Sequence, residues 1–288
     1  MNASEITFGV EIECFVPRQL VSEGRIAVGG YHHGIQVPEL PQGWTAQRDG
    51  SVHTRSRAKV GVEIVSPVLK GVEGLRQIKV VLDWLRNNGA SVNRKCGLHV
   101  HVGVGSDLSL VRKVTTMAAN FEKAIYASTG TKSRERGSFC MPIASQYQGI
   151  AFNDTVSMAQ RARTRYHQLN LTNLINGSRP TVEFRAFAGT LNVAKVIAHV
   201  RMVVGMVERA AKAKRVTNWT AKPVTETSPI FRKGGEGQTA LTRLFYQLGW
   251  VKGRQSHVHG ELAAPDLPSL ETSKRTLRRL AKQYDRQP

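Results

Sequence analysis

At 288 residues, with 41% hydrophobic and 22% charged positions, the chain is long enough to bury a full core and has the composition of a soluble globular protein. No apolar run approaches a membrane span, and the opening Met-Asn-Ala-Ser-Glu lacks the basic start and apolar centre of a secretory signal, so a cytoplasmic protein is expected. The 41 Lys and Arg against 21 Asp and Glu leave a formal charge of +20, which favours an anionic partner such as nucleic acid, nucleotide or acidic substrate without choosing among them.

Ile6 to Phe15 alternates Phe8, Val10 and Ile12 with Gly9, Glu11 and Glu13, the period of a first strand with two carboxylates on one face. Like charges that close repel, so the pair is either solvated or a cation site. Pro17 to Gln47 turns to Gly, Pro and polar residues and reads as a long loop or weak hairpin over a site, with His32 and His33 on its surface. Trp44 follows, then the turn Arg48-Asp49-Gly50-Ser51. Gly61 to Pro67 is a strand with Val62 and Ile64 on one side and Glu63 on the other, stopped by its proline. Val72 to Asn88 has the spacing of a helix closed by Gly89.

Gly97 to Gly103 reads Gly-Leu-His-Val-His-Val-Gly. Leu98, Val100 and Val102 leave one face, and His99 and His101 leave the other, a wet face able to bind a metal or touch a phosphate. The flanking glycines leave room for close approach. Taken alone, the pair is equally a half-buried strand that carries two histidines. Asp107 then caps a helix whose apolar stripe runs from Leu110 through Phe121 to Ile125. After the basic loop Lys132 to Gly137, a helix is expected over Asp154 to Arg163, then extended chain over Tyr166 to Leu171 and Thr181 to Phe187. In the latter, Val182, Phe184 and Ala186 oppose Glu183, Arg185 and Phe187.

A long helix from Asn192 to about Lys214 packs through its valines, Thr217 to Gln238 reads as a linker or wrapped loop, and Thr239 to Trp250 is a short amphipathic helix. Ser269 to Tyr284 is a helix bearing Lys274, Arg275, Arg278, Arg279 and Lys282, best read as solvated and able to touch phosphate backbones. Cys14, Cys96 and Cys140 are odd in number and widely spaced; they read as reduced thiols rather than a disulfide framework or a Cys-x-x-Cys metal site.

Four strands thus share one design: apolar residues on one face and, on the other, Glu11 with Glu13, Glu63, His99 with His101, and Glu183 with Arg185. The expected arrangement is a curved sheet whose concave face gathers these groups. Such buried like charge is severely unfavourable without divalent cations and a bound anion. Oxygen ligands with occasional imidazole favour Mg²⁺ or Mn²⁺ over thiolate-bound zinc.

At these residues the chain resembles the amidoligase family, carboxylate-amine ligases related to glutamine synthetase and glutamate-cysteine ligase. The resemblance spans roughly Phe8 to Asn192 through five ordered words: Phe-Gly-Val-Glu-Ile-Glu, Trp44 before Asp49-Gly50-Ser51, Gly-Val-Glu-Ile-Val-Ser-Pro, Gly-Leu-His-Val-His-Val-Gly and Thr-Val-Glu-Phe-Arg-Ala-Phe. It implies an α+β fold, a glutamine-synthetase-like catalytic domain over 1–215 built on a curved antiparallel sheet with helices on its convex face; the resemblance does not reach the C-terminal segment, and 216–288 reads from its composition as a linker and basic helical C-terminal extension. It further implies ATP with Mg²⁺ or Mn²⁺, an acidic carboxylate substrate and an amine acceptor, joined through an acyl phosphate.

By the same resemblance Glu11, Glu13, Glu63, His99 and Glu183 are metal ligands, His101 contacts the ATP phosphates, and Arg185 stabilises the phosphoryl group in flight. The wider superfamily places more than one carboxylate around the middle strand, so either Asp49 supplies a second group beside Glu63 or one ion is missing. Among Arg134, Arg136, Arg165 and Arg179, any of which is equally a surface charge, Arg165 and Arg179 are favoured to grip the acidic substrate because they flank the late strands. No Walker-type Gly-x-x-x-x-Gly-Lys is present.

Two rival readings remain. One is a metal-dependent amidohydrolase, disfavoured by the surplus of glutamates and the lack of a third histidine strand. The other is a weak or inactive ligase scaffold whose basic surface and tail attach to nucleic acid or a large assembly. The +20 charge supports it, and the intact set of ionisable residues opposes it.

Overall fold

Strands that alternate apolar and polar residues bury one face and leave the other for chemistry, and eight strands of this chain combine to do so. In chain order they are β1 (Thr7–Pro17), β2 (Ile35–Gln36), β3 (Thr45–Gln47), β4 (Lys59–Val65), β5 (Leu69–Lys70), β6 (Gly97–Gly103), β7 (Leu169–Asn170) and β8 (Thr181–Ala188). They form one sheet in the order β2-β3-β4-β1-β6-β8-β7, with β5 paired to the start of β1 and every pairing antiparallel. This computed structural model describes residues 1–144, 164–216, 239–251 and 262–288. The expected helix over 154–163 and linker over 217–238 lie outside the described residues.

The helices are α1 (Arg18–Ser22), α2 (Gly71–Asn87), α3 (Leu108–Asn120), α4 (Glu122–Ala127), α5 (Thr172–Ile175), α6 (Val193–Lys212), α7 (Ala240–Gln247) and α8 (Leu270–Asp285). Several begin on side-chain caps that satisfy a free N–H of the first turn: Asp107 accepts from Ser109, Asn192 from Lys195, Thr239 from Thr242 and Ser269 from Thr272. The single helix expected from Asp107 past Ile125 is broken at Phe121 (φ −110°, ψ 17°). The break lets α3 follow α6 while α4 turns toward β8 and α8.

Phe8, Val10, Ile12, Val62, Ile64, Leu98, Val100, Val102, Val182 and Phe184 are buried in one continuous core. Helix α6 lies against β6 and is in turn covered by α2, α3 and α8. It is therefore buried nearly all round, beyond the valine stripe that its sequence shows: His199, Arg201 and Glu208 are each 3% exposed or less. The three cysteines are buried free thiols, as expected. Among the described residues no helix is long and apolar enough to cross a membrane.

The last helix is part of this core. Leu277, Ala281 and Tyr284 of α8 are buried, and α8 packs on α6 and α4. Arg201 of α6 clamps the segment that leads into α8. Its guanidinium donates to the carbonyls of Leu262 (2.6 Å) and Pro268 (2.5 Å) and to Ser273 Oγ (3.0 Å). Burial lowers its proton affinity to about 10, so it remains charged at neutral pH and is neutralised by backbone dipoles.

One residue expected on the polar face is found on the other. Leu98 pairs with Phe187 and Val100 with Phe184, so two residues of β8, Arg185 and Ala186, oppose the single His99 of β6. This β-bulge slips the alternation by one position. Phe187 therefore joins the core, stacked 4.3 Å from the ring of His199.

His199 Nε2 donates to Ser128 O at 3.0 Å, and burial drives its pKa down to about 4. The unfolded chain binds this proton near pH 6.5, so the buried neutral ring contributes stability that is full above that pH and is lost as pH falls toward 4, roughly 3 kcal/mol in total. We expect urea midpoints to drop between pH 7 and pH 4.5, and His199→Gln to be less stable at pH 7 with a shallower decline. An unchanged slope in the variant would refute this assignment.

Candidate metal and active site

The antiparallel register sets the polar groups side by side. Glu13 lies opposite Glu63, Glu11 opposite His99, and His101 opposite Glu183. Strand β3 and the edge strand β7 add one amide each, Gln47 opposite Glu63 and Asn170 opposite Glu183. All four carboxylates and both imidazoles of the sequence reading therefore share one patch, and Glu13, Glu63, His99 and Glu183 are each under 5% exposed. The face expected to be wet is in fact closed over.

His99 is at the centre. Its Nδ1 donates to Glu11 Oε2 at 3.0 Å and lies 3.5 Å from Glu183 and 4.0 Å from Glu63, while its Nε2 is 3.5 Å from Glu13. His101 Nε2 donates to Glu11 Oε1 at 2.9 Å. Four further carboxylate oxygens are held by neutral or charged donors. Gly97 N–H donates to Glu13 (2.6 Å), Gln47 Nε2 to Glu63 (2.7 Å), Asn170 Nδ2 to Glu183 (2.6 Å) and Arg185 Nη1 to Glu183 (2.5 Å). Gly97 has to be glycine: a Cβ there would stand 2.9 Å from His99 Nε2 and 3.1 Å from Arg134 Nη2. The room that the sequence pattern offered is used by protein atoms.

Burial favours neutral carboxyls throughout, and the neighbours decide the outcome. At Glu11 burial pushes the carboxyl up, but the charges and hydrogen bonds of His101 and His99 outweigh it and hold the group well below its usual range. At Glu183 burial is likewise outweighed, by His101 and Arg185. Glu63 has no such partner. Burial, then the negative charges of Glu11, Asp49 and Glu13, push it up to about 9 against the Gln47 hydrogen bond. At His101 burial opposes the charge, but Glu183 and Glu11 raise its affinity for a proton. At Arg185 burial opposes the charge, and Glu183 retains it.

Among the described residues three sets of side chains offer ligand atoms within 4.8 Å of one another: Glu11 with Glu63 and His99, Glu11 with His101 and Glu183, and Glu13 with Asp49 and Glu63. Asp49 thus stands where the sequence left a second carboxylate in question, its Oδ1 accepting from the N–H and Oγ of Ser51. These oxygen-rich sets suit a hard divalent cation. His101 Nδ1 and Arg185 Nε are buried without any partner, two polar atoms that a bound anion or ligand could satisfy.

Hollows open on both sides of the patch. One of about 410 Å³ is lined by Glu13, His53, Arg94, Lys95, His99, Arg134 and Arg185 among others. Next to it, sharing Gly50, Ser51, Phe139 and Arg185, is one of about 720 Å³ bordered by Tyr31, Arg48, Asp49, Arg165 and Tyr166. On the other side Glu11, His101, Arg179 and Thr181 line a smaller one of about 90 Å³. Arg165 and Arg179 therefore sit in different hollows, and exposed Arg136 borders none of the three.

Arg134 is the residue of that basic loop with a structural task. Buried, it donates from Nη2 to Arg185 O (2.7 Å) and from Nε to Ala186 O (3.4 Å), the carbonyls at the bulge. Gln47, Asn170, Arg94, Lys95 and His53 escaped the sequence reading. Asn170 and Gln47 are the polar ends of short extended runs, and Arg94-Lys95 directly precedes the histidine strand. Those were the only available signals.

A family model described as "Putative amidoligase enzyme" matches residues 4–207. Among solved structures, a bifunctional glutathione synthetase from Pasteurella multocida is similar at 12% identity and a TM-score of 0.45. The alignment covers 98% of this chain and 51% of that one, so the chain spans about half the length of that protein. A comparison with curated protein sequences finds no match.

Because Glu63 lies among like charges with no cation hydrogen-bonded to it, His99 standing 4.0 Å away, Glu63→Gln should raise the melting midpoint of cation-free protein at pH 7.5 by about 2–6 °C. Millimolar MgCl₂ or MnCl₂ should raise the midpoint of the wild type and change that of the variant far less. A variant that melts lower than wild type without cations, and responds equally to them, would show that Glu63 takes no part in a cation site.

Proposed function

The chain belongs to the amidoligase family, and from that premise we propose that it is an ATP-dependent carbon-nitrogen ligase joining a carboxylate to an amine. The observation that carries this reading is the convergence of Glu11, Glu13, Glu63, Glu183, His99, His101 and Arg185, from β1, β4, β6 and β8, on one buried patch flanked by basic hollows. Residues 1–215 would form the glutamine-synthetase-like catalytic unit and 216–288 an extension. The balance of four carboxylates against few cations supports two or more Mg²⁺ or Mn²⁺ ions, held by Glu11, Glu13, Glu63, His99 and Glu183 with Asp49 at the Glu63 end. Bound there, such ions neutralise phosphate charge and polarise the phosphoryl group.

The chain's own residues have definable tasks. In the first step a substrate carboxylate oxygen bonds to the γ-phosphorus of ATP as the bond to ADP breaks. In the second an amine adds to the acyl carbon, phosphate leaves, and the amine loses a proton. Such transfers rest on positioning and charge stabilisation more than on a nucleophilic side chain. Arg185, fixed by Glu183 on one side and with Nε unpartnered, would meet the charge on the transferred group. His101, bordering the smaller hollow with Arg179, would contact the nucleotide phosphates. The larger basic hollows, with Arg165 at their rim, would receive the acidic substrate. Arg179 would then act at the nucleotide end, and Arg136, which borders none of the three hollows, is given no role in this reading. An acidic substrate and a nucleotide account for part of the cationic surface.

The test is ADP release from ATP and Mg²⁺ across a screen of amino acids and polyamines. We expect release only when a carboxylate and an amine are both present. Glu13→Gln and Glu183→Gln should each lower the rate by at least about 100-fold, as should Arg185→Lys, which keeps the charge but loses the planar fork. Hydrolysis of amides with metal and no ATP would favour the amidohydrolase instead.

A further inference from the structure

The ligase reading leaves the cationic face of α8 unused. Lys274, counted with the basic stripe in the sequence, is buried and ion-paired with Glu271. Arg275, Arg278, Arg279 and Lys282 are exposed and line a hollow of about 360 Å³ on the outer side of the helix. Spaced at i, i+3, i+4 and i+7, they form a single row about 10 Å long. Glu271, already committed to Lys274, is the one acid among the lining residues. The other acid of the helix, Asp285, has Lys132 and Lys123 as its charged neighbours. Arg278 is preorganised, its guanidinium 5.3 Å from the ring centroid of Phe245. Lys195 of α6 adds a further positive charge close to Arg279.

Like charges at i, i+4 destabilise an exposed helix. Apart from the contact of Arg278 with Phe245, the fold does not depend on this row, since α8 is held by Leu277, Ala281 and Tyr284 on its other face and by the Arg201 clamp. The same packing rules out membrane insertion, because the apolar side of α8 is already buried. The row contains no exposed aliphatic or aromatic anchor of the kind that carries binding between proteins, and no exposed aromatic on which unpaired bases could stack. What it offers is a dense line of cations, the complement of a duplex backbone that carries one phosphate per roughly 1.7 Å of axis.

We propose that the exposed face of α8 is a sequence-independent docking surface for the phosphate backbone of double-stranded nucleic acid, separate from the ligase site. The inference stands whether or not the chain makes an amide.

Fluorescence anisotropy with a labelled 20-base-pair DNA duplex of arbitrary sequence, from 50 to 200 mM KCl, tests it. Wild-type protein should bind, with affinity falling steeply as salt rises. Combined Arg275→Gln, Arg279→Gln and Lys282→Gln should weaken binding at least tenfold at 100 mM and reduce the slope of log affinity against log salt by about 2 to 3. The triple Glu version should weaken it further. A matched triple at exposed positions elsewhere, Arg55→Gln, Arg57→Gln and Lys70→Gln, should change binding little, which separates this row from the net charge of +20. Absence of binding at 50 mM KCl, equal losses in the two triples, or stronger competition by polyglutamate than by an equal charge of unlabelled duplex would each overturn the proposal.

Discussion

The structure depends on one electrostatic problem: four glutamates brought onto a single sheet face and withdrawn from water. Two imidazoles and one guanidinium offset the charge only in part. Glu11 and Glu183, which face His99, His101 and Arg185, retain their charge, whereas Glu63, beside Gln47 and three other carboxylates, is pushed toward its neutral form. A residual imbalance of this kind is poor design for stability and good design for holding cations that bring phosphate with them. The hydrogen bonds from Gly97, Gln47 and Asn170 restrain individual oxygens without cancelling the charge.

Geometry at the centre is maintained by an irregularity. The bulge in β8 sets Arg185 and Ala186 against His99, and the carbonyls it frees are taken up by Arg134, a cation from a distant loop. That loop is itself tied to the end of the chain: Tyr284 and Gln287 bond Glu135 and Lys132, and Cys140 Sγ donates to Arg134 O. The C-terminal helix thus braces the loop that supports the glutamate-bearing face while presenting its own charged row outward. The sequence reading of this helix as solvated holds for Arg275, Arg278, Arg279 and Lys282, whereas Lys274, Leu277, Ala281 and Tyr284 are buried against the rest of the fold.

How far the sequence could be read depended on the range of the interaction concerned. Period-two alternation is a property of neighbouring residues, so it identified β1, β4, β6 and β8 and assigned Glu11, Glu13, Glu63, His99, His101, Glu183 and Arg185 to the polar face from the sequence alone. The capping residue Asp107 likewise marked a helix start through local chemistry. The ordered motif words placed the chain in its family.

Register, by contrast, is chosen by the whole sheet, and only the tertiary structure decided it. Which carboxylate meets which imidazole, the slip that moved Phe187 into the core, the amides of Gln47 and Asn170, the place of Asp49 beside Glu63 and the role of Arg134 all depend on pairings between residues far apart in the chain. The dispersal of Arg165, Arg179 and Arg136 has the same origin. A guanidinium's charge is written in the sequence, but its neighbours are set by how strands and loops pack against each other, and no local period carries that information.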